Sequence, residues 1–353
     1  MDFSNSLVQW YLQNKRDLPW RETKNPYFIW LSEIMLQQTR VNQGLPYYFA
    51  FTKHFPTVFD LANASEEQVL KLWQGLGYYS RARNLHKTAQ YVVFELNGVF
   101  PENFNKLLLL KGVGEYTAAA IASFCYDEKV PVVDGNVFRV LSRFFEMETD
   151  ISSSFAKKEF SELAMNLMSD VNPALFNQAI MEFGALQCIP KNPDCEQCVL
   201  NFGCMALKNN KVSVLPLKLK KTKVRNRYFN YLIFLDENNS TIIQKRTSKG
   251  IWHNLYEFPL IETEQEQTCE YISKQIQESN FIANEILTIS PTKIFAEIHK
   301  LSHQHLHINF WVIAVKGEIT NAIDYNTLIQ YPFPIVIYNF IKSEKNRFQN
   351  LYL

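Results

Sequence analysis

The stretch Leu107-Leu108-Leu109-Leu110-Lys111-Gly112-Val113-Gly114-Glu115-Tyr116-Thr117-Ala118-Ala119-Ala120, followed by Val133-Asp134-Gly135-Asn136, decides the fold. An apolar run ends at Lys111, a turn holds glycines at 112 and 114, and a second helical pattern starts at Glu115. That order is a helix–hairpin–helix. The two glycines let the backbone turn tightly and leave no side chain over its amides. Those amides, with the N-terminus of the next helix, form a cradle for an anionic oxygen such as a DNA phosphate. An ordinary helical corner fits the same glycines. Asp134 shifts the balance, because it ends the run Val130, Val132, Val133 and precedes a periodic segment. There it can cap a helix and return a carboxylate towards the hairpin.

Working outward, the first two hundred residues read as helices with short, punctuated connections. Leu7, Trp10 and Tyr11 begin an amphipathic helix that stops before Leu18-Pro19-Trp20-Arg21. Phe28 to Thr39 is apolar on nearly every side, yet contains Glu33. A carboxylate is costly to ionise in that setting, so its pKa should rise, as a general acid near neutrality requires. A buried Glu tied to an arginine is the plainer reading. Leu72-Trp73-Gln74-Gly75-Leu76-Gly77-Tyr78-Tyr79-Ser80-Arg81 forms an aromatic and basic loop. Its rings suit wedging into or stacking on bases, and core tyrosines with solvated arginines are the bland alternative.

Four of six cysteines, Cys188, Cys195, Cys198 and Cys204, fall in one segment with the spacing C-x6-C-x2-C-x5-C. The chain opens Met1-Asp2-Phe3-Ser4, without a basic region and apolar core of the export type. A reducing compartment, the bacterial cytoplasm, is the expected address, and there clustered thiols indicate a metal site. Four thiolates suit zinc or an iron–sulfur cluster.

Together the hairpin, the downstream Asp and the cysteine spacing resemble the endonuclease III superfamily of DNA glycosylases. Within it, Leu18-Pro19-Trp20-Arg21, Ser32-Glu33-Ile34-Met35-Leu36-Gln37-Gln38-Thr39 and Gly75-Leu76-Gly77-Tyr78-Tyr79-Ser80-Arg81 look like the MutY-type adenine DNA glycosylases. The similarity runs from about residue 7 to residue 207.

This resemblance implies removal of adenine mispaired with 8-oxoguanine or guanine in double-stranded DNA. Adenine would leave the stack and enter a pocket. Glu33 would protonate its N7 and later activate water, and Asp134 would stabilise the oxocarbenium-like sugar. Tyr116 and Asn136 would position Asp134 and the water. Trp20, Arg21 and Leu36 would line the adenine pocket, where the family often has Glu and this chain has Gln178. Gln38, Thr39 and Tyr78 would contact DNA beside the lesion, and Gly112 and Gly114 a phosphate. The Schiff-base lysine of endonuclease III-type enzymes is replaced by Tyr116, so little strand cleavage is expected. The four cysteines would hold a structural [4Fe–4S] cluster.

From Lys208 to Arg227 lysines and arginines appear without an acidic residue, which marks a basic linker. Beyond it the apolar period becomes two. Tyr228 to Leu235, Thr241 to Arg246 and Ile308 to Val315 read as strands, and Glu264 to Glu278 and Phe333 to Lys342 as helices. Gly250-Ile251-Trp252-His253-Asn254-Leu255-Tyr256-Glu257-Phe258-Pro259 resembles the family's Nudix-like lesion-recognition domain, without the hydrolase box after it. Leu301-Ser302-His303 matches its Phe-Ser-His loop, with Leu in place of the aromatic wedge.

The expected architecture is an all-α helix–hairpin–helix domain over 1–207, a linker over 208–227 and an α+β Nudix-like domain over 228–353. Of 353 residues, 47% are apolar and 20% charged, with net charge +1. These are the proportions of a folded protein, and no apolar run nears the roughly 20 residues that span a bilayer. A monomer is expected. A thymine glycosylase acting on G·T mispairs and a lesion-binding protein without turnover are the other readings. Glu33 with Asp134 argues against the latter.

Overall fold

The structure is a computed structural model that describes residues 2–168, 171–219, 224–279, 281–291 and 298–344. The chain divides into two compact units, Met1–Asn63 with Asn84–Lys221, and Ala64–Arg83 with Thr222–Leu353. No helix is long and apolar enough to cross a membrane among the described residues.

The first unit is helical. Its site depends on α1 (Phe3–Asn14), α2 (Pro26–Leu36), α3 (Glu115–Tyr126), α4 (Gly135–Phe145), α5 (Ser154–Leu167) and α6 (Pro173–Leu186). The starts are written locally. Asn25 accepts from the Tyr27 amide with Pro26 opening α2, Asp134 caps α4, Ser153 caps α5, and Asn172 caps α6 with Pro173 behind it. Leu7 and Tyr11 of α1, Val140 and Leu141 of α4, Phe160 of α5 and Phe176, Ile180 and Phe183 of α6 share one buried core. Trp10 meets Phe183 edge-on at 4.9 Å. Each such side chain contributes about 1.5–3 kcal/mol on burial.

Helix α2 ends at Leu36, three residues before the expected end. Gln38 takes a left-handed φ of 55°, which closes the helix and leaves its side chain exposed.

The second unit is built on a mixed sheet of β1 (Arg225–Leu235), β2 (Leu260–Thr263), β3 (Ile286–Pro291), β4 (Ile298–Lys300) and β5 (Gln304–Val315). Its order is β2-β1-β5-β3, with β4 paired to β5. Strands β1 and β5 run parallel, with Tyr228 opposite His307. Helix α7 (Cys269–Ser279) covers part of one face, and α8 (Ile335–Glu344) supplies Phe340, which stacks on Phe310 at 3.9 Å.

Several boundaries differ from expectation. The region 264–268 precedes α7, whose first turn begins where Thr268 Oγ1 accepts from the Tyr271 amide. The expected strand over 241–246 is two short pieces, Ser240–Thr241 and Gln244–Lys245, paired to different partners.

Residues 64–83 join this second unit through their polar contacts, so a single boundary near the linker does not describe the chain. Lys71 Nζ donates to the Ile329 and Tyr331 carbonyls, Asn254 Nδ2 to Glu66 Oε1 at 2.5 Å, and Arg83 Nη1 to the His253 carbonyl at 2.8 Å. In the linker, Lys211 pairs with Glu146 and Glu148. Lys220, Lys221 and Lys223 lie outside the described residues.

Candidate active site

A cavity of about 590 Å³ in the helical unit is lined by Glu33, Tyr116, Asp134 and Asn136 together with Trp20, Arg21, Leu36 and Thr39. Helix α2 delivers Glu33 from its buried side, where the residue is 5% exposed. Burial pushes its pKa up to about 7. The Tyr116 hydroxyl donates to this carboxyl and opposes the rise, the Asp134 carboxylate adds to it, and Arg21 opposes it. Glu33 Oε2 is buried without a hydrogen-bond partner. A carboxyl in that state holds a proton near neutrality and has an oxygen free to present it.

Asp134 is shaped by different forces. Oδ1 accepts from the Asn136 and Val137 amides at 2.8 Å each, and Oδ2 accepts from Asn136 Nδ2 at 2.8 Å. Burial pushes its pKa up, while these three donors and Arg139 favour the charged form. Three donors hold Asp134, whereas Glu33 has the Tyr116 hydroxyl and a second oxygen, Oε2, without a partner, so the two carboxyls sit in different environments. Burial between these carboxyls holds the Tyr116 phenol well above its usual range, hence protonated.

Four further charged residues line the cavity without a signal in the local sequence, Arg16, Arg40, Arg139 and Glu182. Glu182 of α6 is 1% exposed and accepts from Arg16 and Arg21, at 2.6 and 2.7 Å to Oε2. These guanidiniums and the Arg16 amide overcome burial and hold Glu182 down at about 2. Arg21 is thereby fixed at the wall of the cavity, and the Trp20 ring is fixed edge-on against Tyr48 at 5.0 Å. Gln178 lines the same cavity and accepts from the Tyr11 hydroxyl at 2.6 Å. Arg139 donates to Asn136 Oδ1 at 2.8 Å and to the Gly184 and Cys188 carbonyls at 2.6 Å each. Gly184 permits this approach. A Cβ there would lie 2.6 Å from Asn136 Cβ and 3.0 Å from its carbonyl oxygen.

Cys188, Cys195, Cys198 and Cys204 line one narrow cavity walled by Val140, Phe144, Phe183, Leu200 and Leu207. Arg143, one turn beyond Arg139, places Nη1 3.4 Å from Cys188 Sγ and donates to the Ile189, Pro190 and Leu215 carbonyls. Among the described residues no three His, Cys, Asp or Glu side chains converge on one point tightly enough for a single metal ion.

The hairpin glycines behave differently from one another. Gly112 has φ +79°, and a Cβ there would strike Asn84 at 2.7 Å. Gly114 has an ordinary backbone and caps α3 without a side-chain oxygen, so the first amides of α3 stay available to an anion. In the other unit, Tyr78 is 43% exposed with a left-handed φ of 48°, and its hydroxyl bonds Ser302 Oγ at the turn between β4 and β5. His303 is exposed on that turn, and Leu301 is half-buried.

Residues 31–165 match the family described as HhH-GPD superfamily base excision DNA repair protein, and residues 230–343 match the NUDIX domain. The adenine DNA glycosylase of Buchnera aphidicola subsp. Baizongia pistaciae is 35% identical over 319 residues, covering 90% of this chain and 88% of its own. That of Homo sapiens is 46% identical over 213 residues, covering 58% and 39%. Among solved structures, a thermostable thymine-DNA glycosylase is 29% identical with a TM-score of 0.55, covering 59% of this chain and 95% of that one. A non-covalent endonuclease III–DNA complex, at 21% identity and TM-score 0.52, covers 59% and 94% and marks the same helical fold. With both domains matched in order and a relative aligned over nearly its whole length, this chain belongs to the adenine DNA glycosylase family.

Proposed function

We propose that this protein is a base-excision-repair N-glycosylase that hydrolyses the bond between adenine and deoxyribose, with adenine opposite 8-oxoguanine or guanine in duplex DNA as substrate. The observation that carries this reading is the pair of carboxyls on one cavity, with burial pushing Glu33 up to about 7 and three donors favouring the charged form of Asp134 against its burial. Glu33 gives its proton to N7 of the extruded adenine, which makes the base a leaving group. Asp134 stabilises the cationic sugar as the bond lengthens. Glu33, now a carboxylate, takes a proton from water as water adds to the sugar. Tyr116 orients the Glu33 carboxyl through its hydrogen bond, and Asn136 fixes Asp134.

No amine occupies the position of Tyr116, so the product keeps an intact strand at an abasic site. In single-turnover assays, adenine release should proceed at full rate while borohydride traps almost no enzyme–DNA adduct. Trapping at the rate of base release would overturn this. Release of thymine from G·T in place of adenine would favour the runner-up glycosylase.

The four cysteines fit a [4Fe–4S] cluster. One cavity gathers all four thiols, and Arg143 sets a positive charge beside Cys188. When bound, the cluster supplies a fixed anchor for residues 188–207, which carry little regular structure beyond one short turn and the start of a short helix. With all four ligands from protein, its role is structural. Anaerobically purified protein should contain about four iron and four sulfide per chain. Active, colourless protein with one zinc per chain would refute the cluster.

Ser302 and His303 offer donors and acceptors to the base opposite adenine, since 8-oxoguanine differs from guanine at C8 and N7. The second unit then selects the lesion, while the first performs the chemistry. The working form is a monomer on DNA in the bacterial cytoplasm.

A further inference from the structure

One face of the sheet in the second unit is covered for only part of its length. Along β5 the side chains at 305, 307 and 309 are half-buried while their neighbours are buried, and from Phe310 onward every side chain is buried. Trp311, Ile313 and Val315 pack with Ile272 and Ile276 of α7. Among the described residues, that helix therefore shelters the far end of the face and leaves the near end open.

Two transverse rows occupy the open end. Asn226, His305 and Lys300 form the first, from β1, β5 and β4. Thr263, Tyr228, His307 and Ile298 form the second. Neither row contains a carboxylate. Tyr228 and His307 stack with ring centroids 4.4 Å apart at 18°, and His307 Nε2 lies 3.2 Å from Asn226 Oδ1. A lysine, imidazoles, an amide and a stacked ring pair, in rows that hold no carboxylate, are groups that meet sugar–phosphate backbone.

The first row starts two residues beyond the turn that holds Ser302 and His303, and the second follows about 7 Å along the strands. A hairpin whose tip reaches a base pair brings its flanks against the adjoining backbone. We propose that this open sheet end is a second DNA-contacting surface, which follows the phosphodiester backbone beside the lesion. Lys300 supplies charge, and Asn226, His305 and Tyr228 supply donors to phosphate oxygens. The proposal rests on the reading of Ser302 and His303 as lesion contacts. Its own contribution is different in kind, because backbone contacts carry no base information and act on any duplex.

The test uses the full-length protein, with mispaired and fully paired duplexes as probes. Lys300→Ala/His305→Ala should weaken binding to both duplexes alike, by about tenfold, as two lost polar contacts would. The slope of log affinity against log salt should flatten by about 1, because one lysine–phosphate contact is gone. Lys300→Glu, a change on an exposed side chain that leaves the fold intact, should lose more. The preference for 8-oxoguanine over guanine opposite adenine should stay at its wild-type value in these variants. By contrast, Ser302→Ala/His303→Ala should lose about tenfold of that preference with little change on paired DNA. Wild-type affinity and salt slope in both Lys300 variants would overturn the backbone surface. Loss of lesion preference without loss of general affinity would also overturn it, since the rows would then serve only the turn. An unchanged preference in the Ser302/His303 variant would instead sink the lesion reading alone.

Discussion

Glu33→Gln should bind mispaired duplex normally and release adenine at no more than about one thousandth of the wild-type rate, since a positioned acid–base group contributes roughly 10²–10⁴-fold. The upper part of that range applies because Glu33 acts twice, first as acid and then as base. Gln keeps the shape and cannot deliver a proton to N7. Wild-type single-turnover rates should fall as pH rises through about 7, where Glu33 loses its proton, and the variant should show no such limb. Near-normal excision by Glu33→Gln would remove Glu33 from the mechanism. The same substitution has a consequence for folding. Glu33 has its pKa raised from 4.5 to about 7, so between those values the folded state binds its proton more tightly than the unfolded chain. Stability is therefore lost as pH rises through this window. The loss is about 3 kcal/mol once Glu33 is fully ionised. Glu33→Gln avoids it, and should melt at a higher temperature than wild type at pH 8 but not at pH 4. Calorimetry at the two pH values separates a destabilising catalytic carboxyl from one that merely fills the core.

Glu33 was legible because an ionisable residue interrupts an otherwise apolar helix, and Asp134 because a capping residue stood at the end of a β-branched run. The cysteines were legible from spacing alone. Arg139 and Arg143 were not. They recur at helical spacing in α4, a pattern that ordinarily marks a solvated face, yet both are buried among carbonyls of the cysteine segment. Nothing local signals this, because the Cys188 carbonyl that takes Arg139 Nε and the Ile189 carbonyl that takes Arg143 Nη1 lie 45 or more positions away. Glu182 hid for the same reason, since its arginine partners sit at positions 16 and 21. In the second unit, alternation revealed β1 and β5 but not their parallel pairing, which depends on crossover geometry rather than on either strand. The attachment of residues 64–83 to that unit was equally silent, being made by side chains 170 or more positions apart. The strand over 241–246 failed because hydrophobic alternation cannot show that a partner strand ends.

Asp134→Asn should retain the fold and lose excision by about 10³-fold. The carboxylate has two functions that this substitution separates. As the cap of α4 it accepts from the Asn136 and Val137 amides, and an asparagine oxygen accepts equally well at that position. As a charge it faces the cationic sugar, and only the carboxylate can do that. A unit charge about 4 Å from another, at an effective dielectric near 20, contributes about 4 kcal/mol. That corresponds to about three decades in rate. Asp134→Ala removes both functions and should lose about 1 kcal/mol of stability besides, the usual cost of a deleted cap. The melting temperatures and single-turnover rates of the two variants, measured together, test the division. Excision lost in both with stability lost only in Ala places the chemistry in the charge. If Asp134→Asn instead excised adenine within tenfold of wild type, the sugar cation would need another stabiliser. The remaining carboxylate on the cavity, Glu182, is already committed to Arg16 and Arg21, so the mechanism itself would have to be redrawn.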